Sequence, residues 1–293
     1  MSDRPREHAA GRRRLGTPPE GSARSLLLTV LGELVVPAGQ PVWTASLLYV
    51  LAGLGVSEQT ARQTFSRAAD SGWLVSERFG REARWTVTRE AVDIIDDITR
   101  RVLTLNTIPE RWDGDALILI VTIPNDKRAA RKRLHSALGW AGFGNPAPGL
   151  WASPHIDRAE EARQLIQELD LRDCTIAFIG STVDVGLADR AIVRRAWNLD
   201  DVADRYAKLL AKFAGRKPEP GDDLLFTHLA LVDEWRRFPY MDPQLPKDLL
   251  PNWIGHRAAD IFVDLHSRWH GGAYERWREV VALTAPDSER AHR

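Results

Sequence analysis

The stretch "VSEQTARQTFSRAADSGWL", Val56 to Leu74, constrains the fold more than any other part of this chain. Ser57 can cap a helix through its hydroxyl, and Gly72 marks the end of that helix. At helical pitch Ala61, Phe65, Ala68 and Ala69 share one narrow side, while Gln59, Thr60, Arg62, Gln63, Ser66 and Arg67 cover the rest. So small an apolar stripe predicts a short helix that rests on a core and turns a polar face outward. Arg and Gln match guanine and adenine edges in the DNA major groove, and Ser and Thr reach phosphate or base. A plain solvated face is the alternative for this helix taken alone.

Its neighbours favour DNA. "VWTASLLYVLAGLG" reads as a helix from about Thr44 that stops at Gly53 and Gly55, so the two helices with their glycine turn form a helix-turn-helix candidate. After Gly72, the runs Trp73 to Glu77 and Ala83 to Thr88 flank the tip Arg78-Phe79-Gly80-Arg81, a hairpin and hence a wing. Arg78, Arg81 and Arg84 then lie at or near that tip, within reach of backbone phosphate. With "SARSLLLTVLGELV" as the opening helix, residues 22–89 read as a winged helix-turn-helix domain; a winged helix that binds protein is the competing reading.

Charge supports the first reading through its distribution. The 40 basic and 40 acidic residues cancel overall. Residues 1–89, however, hold twelve arginines, no lysine and eight acids, a surplus of +4, whereas residues 218–293 hold nine basic and thirteen acidic residues, a deficit of −4. The apolar runs "ALILIVTI" and "SLLLTVLGELVV" are too short to span a bilayer, the second being broken by Gly32 and Glu33, so no membrane partner is expected. The single cysteine, Cys174, excludes an internal disulfide and reads as a buried, inert thiol in a cytoplasmic protein. Residues 1–21, with Arg12, Arg13 and Arg14, read as a disordered arm.

Residues 90–111 supply an amphipathic connecting helix, suited to link domains or to pack against a second copy. The middle of the chain then changes rhythm. Strand "DALILIVTI" ends at Pro124, Asn125 caps the helix "DKRAARKRLHSALGWAG", "GFGNPAPGLWAS" allows two short strands, "DRAEEARQLIQELD" is a helix and "CTIAFIG" a last strand. The order βαββαβ predicts a ferredoxin-like domain over residues 112–185. Lys127, Arg128, Arg131, Lys132 and Arg133 give its first helix a basic face, with Arg128 and Arg131 candidates for ligand phosphate or DNA backbone. The glycines of "GFGNPAPG" lack the spacing of a dinucleotide fingerprint and read as turns.

Residues 186–285 read as a mainly α-helical effector and dimerisation domain. In one helix Leu225, His228, Leu229, Val232 and Trp235 share a side, with Asp233, Glu234 and Arg237 elsewhere; in another Ala258, Ile261, Phe262, Leu265 and Trp269 coincide. Between them, Trp235, Arg236, Phe238, Tyr240, Met241 and Trp253 combine aromatic surface with a cation beside a proline-rich loop, a candidate ligand pocket. His266 and His270 have the four-residue spacing that suits zinc, and His228 lies nearby in the pattern. "HSRWH" lacks the glutamate of a metalloprotease motif, so hydrogen-bonded core histidines are the reading adopted, with no metal, no cofactor and no catalytic residue assigned. The first strand of the middle domain also ends in Thr122-Ile123-Pro124, without the acidic residue that metal-dependent phosphodiester cleavage needs there; Asp126 comes later. A metal-dependent nuclease or hydrolase on the middle domain or the histidines is the alternative.

The strings "HLALVDEWRRFPYMDPQLP", Leu250-Pro251, "AADIFVDLHSRW", "GVSEQTARQTFSRAADSGWL" and "GFGNPAPGLWASP" resemble the PaaX-like transcriptional repressors over about residues 22–272. The resemblance implies an α+β multidomain fold: an N-terminal winged helix-turn-helix, a ferredoxin-like centre akin to small CRISPR adaptation nucleases, and a helical C-terminal domain. It further implies a homodimer that represses an aromatic-compound operon and is released by an aryl-CoA thioester such as phenylacetyl-CoA.

Overall fold

The computed structural model describes residues 21–80, 82–103, 105, 112–124, 127–183 and 185–286. The expected N-terminal arm up to residue 20, Arg81, the end of the expected connecting helix from 106 to 111, the Asn125 cap and Asp126 lie outside the described residues.

Helix α1 (Ala23–Val30) starts at Ser22, whose hydroxyl accepts from the Ser25 backbone N–H. It runs into a wide π turn (Leu31–Val35) and a last short turn, α2 (Val36–Ala38), closed by left-handed Gly39. Strand β1 (Val42–Trp43) leads into α3 (Thr44–Gly53). Gly55, at φ +85°, makes the turn to α4 (Glu58–Asp70), which is capped by Ser57 as its sequence predicts. Strands β2 (Leu74–Phe79) and β3 (Glu82–Val87) complete a sheet of order β1-β3-β2. Phe79 pairs with Glu82, so Arg78 and Phe79 belong to the strand and the hairpin tip is shorter than expected. Helix α5 (Arg89–Leu103) follows.

The central unit has β4 (Asp115–Val121), α6 (Arg128–Trp140), β5 (Gly144–Ala147), β6 (Leu150–Ser153), α7 (Ala159–Glu168) and β7 (Thr175–Ser181). Its antiparallel sheet, in the order β5-β6-β4-β7, has the ferredoxin-like topology. Leu117, Leu119, Val121 and Trp151 pack with Leu134 and Leu138 of α6 and Leu165 of α7. On the strands' other face Ile120 pairs with Ile176 and Ile118 with Phe178, and Ile120, Ile176 and Phe178 are exposed. Cys174 lies in the short turn before β7 and is half-buried, less covered than expected because β7 is an edge strand.

Helices α8 (Asp189–Ala196), α9 (Leu199–Phe213), α10 (Asp222–Trp235) and α11 (Ile254–Thr284) form the rest. Helix α11 continues well past His270, through Gly271 and Gly272. A Cβ at Gly272 would stand 2.6 Å from Leu224 Cδ2, so the glycine admits the neighbouring helix. Beyond it Ala273, Trp277 and Val280 are buried, which offsets the roughly 1 kcal/mol that a glycine costs within a helix. Asp233 and Arg237, expected away from the core side of α10, are buried as well, because α10 is covered by α1 in addition to α11.

One core joins Leu31, Leu47, Leu51, Ala61 and Phe65 of the N-terminal unit to Leu225, Leu229, Trp277 and Val280 of the C-terminal helices. It crosses the expected boundary between residues 22–89 and 186–285. A second core gathers Tyr206, Trp235, Phe238, Phe262 and Trp269. Helix α5 contributes Ile95 to the first and Val102 to the second, and α11 contributes to both.

Candidate nucleic-acid interface and the cavity behind it

Helix α4 buries Ala61, Thr64 and Phe65, and Phe65 meets Trp85 of β3 at a ring separation of 5.9 Å. Thr64 joins the buried side because its hydroxyl donates back to the Thr60 carbonyl at 2.7 Å. Gln59, Thr60, Arg62, Gln63, Ser66 and Arg67 are all exposed. The Arg62 guanidinium is 2.8 Å from Glu58 Oε1, an exposed pair worth about 0 to 1 kcal/mol, so it can exchange that partner for a base or phosphate at little cost. On the hairpin Arg78 is exposed, and Arg81 lies outside the described residues. Arg84 is held further back: its guanidinium lies 4.8 Å from the Phe79 ring and 5.6 Å from Trp43, and it pairs with Glu77 at 3.4 Å. It braces the hairpin rather than extending from the tip.

The aromatic residues expected around a ligand are spent on one another. Tyr206 stacks on Phe238 at 3.9 Å and Trp235 on Phe262 at 4.5 Å. Tyr206 Oη and Trp253 Nε1 both donate to Asp242 Oδ2, at 2.8 and 2.7 Å. Trp235, Phe238 and Trp253 are buried in this core, and Tyr240 and Met241 are partly covered, with Tyr240 against Trp140. Aromatic side chains suit a core as well as a pocket, which is why the sequence pattern did not separate the two. Arg131 lies exposed on α6, over a different core; nothing is described of the Arg128 side chain.

Three family models match in succession: PaaX-like protein over residues 22–91, the PaaX protein central Cas2-like domain over 109–192, and the PaaX-like protein C-terminal domain over 197–279. The chain belongs to the PaaX-like family. It is 29% identical to the transcriptional repressor PaaX of Escherichia coli (strain K12) over 261 residues, 84% of this chain and 80% of that protein. Its fold is similar to that of the uncharacterized protein Rv0674 from Mycobacterium tuberculosis, with TM-score 0.61 and 19% identity over 89% of this chain and 99% of that one.

This PaaX-like chain also has a cavity of about 200 Å³ between the π turn, α5, α10 and α11. Ile95, Val102, Val232 and Phe262 give it apolar walls, and Glu33, Arg236, His266 and His270 supply its charged and imidazole groups. Arg236 is the one member of the expected aromatic and cationic group that reaches it. Burial pushes the Arg236 pKa down, against the pull of Asp233 beside it. Asp233 ties the units together: it accepts from Ser25 at 2.7 Å and Thr29 at 3.0 Å, and faces Arg236 at 3.4 Å and Arg237 at 3.6 Å.

Two of the three histidines, His228 and His266, are hydrogen-bonded, to a partner that helix periodicity did not reveal. His228 Nε2 and His266 Nε2 lie 3.0 and 3.1 Å from Glu33 Oε2, and His270 Nδ1 lies 3.7 Å from it. Burial by itself would raise the Glu33 carboxyl, yet its imidazole neighbours outweigh burial and hold it well below the usual carboxylate range. Burial lowers His228, while the carboxylate beside it raises His270. Besides the four-residue spacing of His266 and His270, the sequence signal for this group is Glu33, an acidic residue interrupting an otherwise apolar run.

Proposed function

We propose that this chain is a DNA-binding transcriptional repressor of phenylacetate-type catabolic genes, acting as a homodimer and released by an aryl-CoA thioester such as phenylacetyl-CoA. Residues 22–89 serve as the winged helix-turn-helix, with α4 as the reading helix. The observation that carries this is α4 itself: a short helix seated on Ala61 and Phe65 that turns Gln59, Thr60, Arg62, Gln63, Ser66 and Arg67 outward. The 29% identity to a named repressor, over most of both chains, supports the same reading. No helix among the described residues is long and apolar enough to cross a membrane, and the proposal places the chain beside DNA in the cytoplasm.

For the effector, the cavity has apolar walls for an aryl group and Arg236 for a carbonyl or carboxylate oxygen. At about 200 Å³ it takes the acyl end, and the coenzyme A part lies outside it. Because the cavity lies between the reading unit and α5, α10 and α11, a ligand with unequal affinity for two arrangements of these elements shifts the balance between them. For the dimer, support comes from the exposed strip Ile120, Ile176 and Phe178 beside the edge strand β7.

The test is binding of the purified chain to DNA upstream of its own gene against scrambled DNA, across salt, with and without phenylacetyl-CoA. Specific binding lost on adding the thioester is the expected result. Arg62→Ala is expected to weaken specific binding by about 1–3 kcal/mol while changing scrambled-DNA binding little. No sequence preference, or divalent-dependent cleavage of the DNA, would overturn the reading.

A further inference from the structure

We propose that Glu33, His228, His266 and His270 together bind one divalent transition-metal ion, zinc by preference, which fastens the π turn of the N-terminal unit to α10 and α11. His266 and His270 come from one face of α11, His228 from α10 and Glu33 from the π turn. The prospective ligand atoms of all four lie within 4.8 Å of one another.

The distances from Glu33 Oε2 to the three nitrogens are close to those of a coordination shell. Zinc holds nitrogen and oxygen at about 2.0–2.1 Å, so the ligand atoms of a tetrahedral site stand about 3.3–3.4 Å apart. The three nitrogens lie 3.0, 3.1 and 3.7 Å from Glu33 Oε2, on both sides of that value. The imidazole ring centres form a nearly equilateral triangle with sides of 5.0, 5.3 and 5.6 Å. Side chains from three elements thus surround a single point.

Hydrogen bonding alone accounts less well for this arrangement. A carboxylate oxygen offers about two lone-pair directions, and here three ring nitrogens converge on one oxygen. The third, His270 Nδ1, is buried and makes no hydrogen bond within the described residues. A cation among the four groups would use every one of those nitrogens. Three imidazoles and a carboxylate select zinc and its first-row neighbours over calcium or magnesium, which take oxygen shells, and over copper(I), which takes sulfur. The cavity that reaches Glu33, His266 and His270 supplies the way in.

The experiment uses the untagged full chain, stripped with a chelator and then given zinc chloride. Mass spectrometry of the metal content after gel filtration is expected to find one zinc per chain, with a thermal midpoint several degrees above that of the stripped protein. Cobalt(II) in place of zinc is expected to give the intense visible absorption of a four-coordinate ion. His270→Ala, in which the side chain removed is 43% exposed, and Glu33→Gln are expected to fold and to lose at least about tenfold in zinc affinity together with that cobalt spectrum. Absence of retained metal and of any midpoint shift in the wild-type chain would overturn the proposal. So would equal zinc retention by both variants. Neither result bears on the repressor reading, whose test is DNA binding.

Discussion

At Asp233 a single buried carboxylate accepts from Ser25 and Thr29 and faces the guanidinium groups of Arg236 and Arg237, joining α1 to α10. Replacing it by Ala removes the buried carboxylate that both guanidinium groups face. We expect Asp233→Ala to lose about 3–5 kcal/mol in urea unfolding, the usual cost of removing one partner of a buried ion pair. An unchanged midpoint would mean that water replaces the carboxylate. By contrast, the exposed Arg62 is expected to change stability by less than about 0.5 kcal/mol on replacement by Ala, so its loss reads out in DNA binding alone. The two arginine environments could not be told apart by composition. Arg62 falls on a polar helix face, whereas Arg236 and Arg237 are buried only because a second helix covers their side of α10.

Among elements, α8 is a helix that no sequence pattern announced, and its docking depends on a glycine. Helix α8 and the residue after it lie against β5, where a Cβ on Gly144 would stand 2.7 Å from Ala196 Cβ and 2.6 Å from the Trp197 ring. Gly144→Ala therefore overpacks a buried contact and is expected to cost about 1–3 kcal/mol. Hydrogen exchange over residues 189–196 should accelerate more than exchange in α6; uniform acceleration would show that α8 does not detach on its own. Elements with a strong one-sided pattern were legible: α4 with its serine cap, the β2-β3 hairpin and the βαββαβ order all follow from their residues. What periodicity left out was extent. The apolar side of α11 reads only as far as Trp269, whereas the helix runs on to Thr284, since helix propensity carries no record of the tertiary contacts that keep the helix going.

On the scale of the whole molecule, the central unit meets the C-terminal helices at His155, whose Nε2 lies 3.1 Å from the Pro243 carbonyl and 2.8 Å from that of Gln244. Burial pushes the His155 pKa down, and the neighbouring Arg158 adds to it, outweighing the opposite pull of the Pro243 and Gln244 carbonyls and, last, of Asp157. The unfolded chain therefore takes up this proton more readily than the folded one. Stability from this site is complete above the ordinary imidazole value of about 6.5 and is lost as pH falls below it. Urea midpoints measured from pH 7.5 down to 5.5 are expected to fall, and His155→Gln, which keeps a donor to the carbonyls, should flatten part of that slope. An identical slope in the variant would assign the loss to other groups.

The sequence by itself determined which faces are polar, where the glycine and proline turns lie, the order of strands and helices in the central unit, and the family to which the chain belongs. Those properties are written in neighbouring residues, through side-chain periodicity and backbone preference. Tertiary structure alone decided that Trp235, Phe238 and Trp253 pack against one another and that a single core crosses from Phe65 to Trp277. It also decided that Glu33 meets His228, 195 positions away. Periodicity records that a side of a helix is covered and says nothing of what covers it, so a site assembled from α10, α11 and a π turn exists only once the chain has folded.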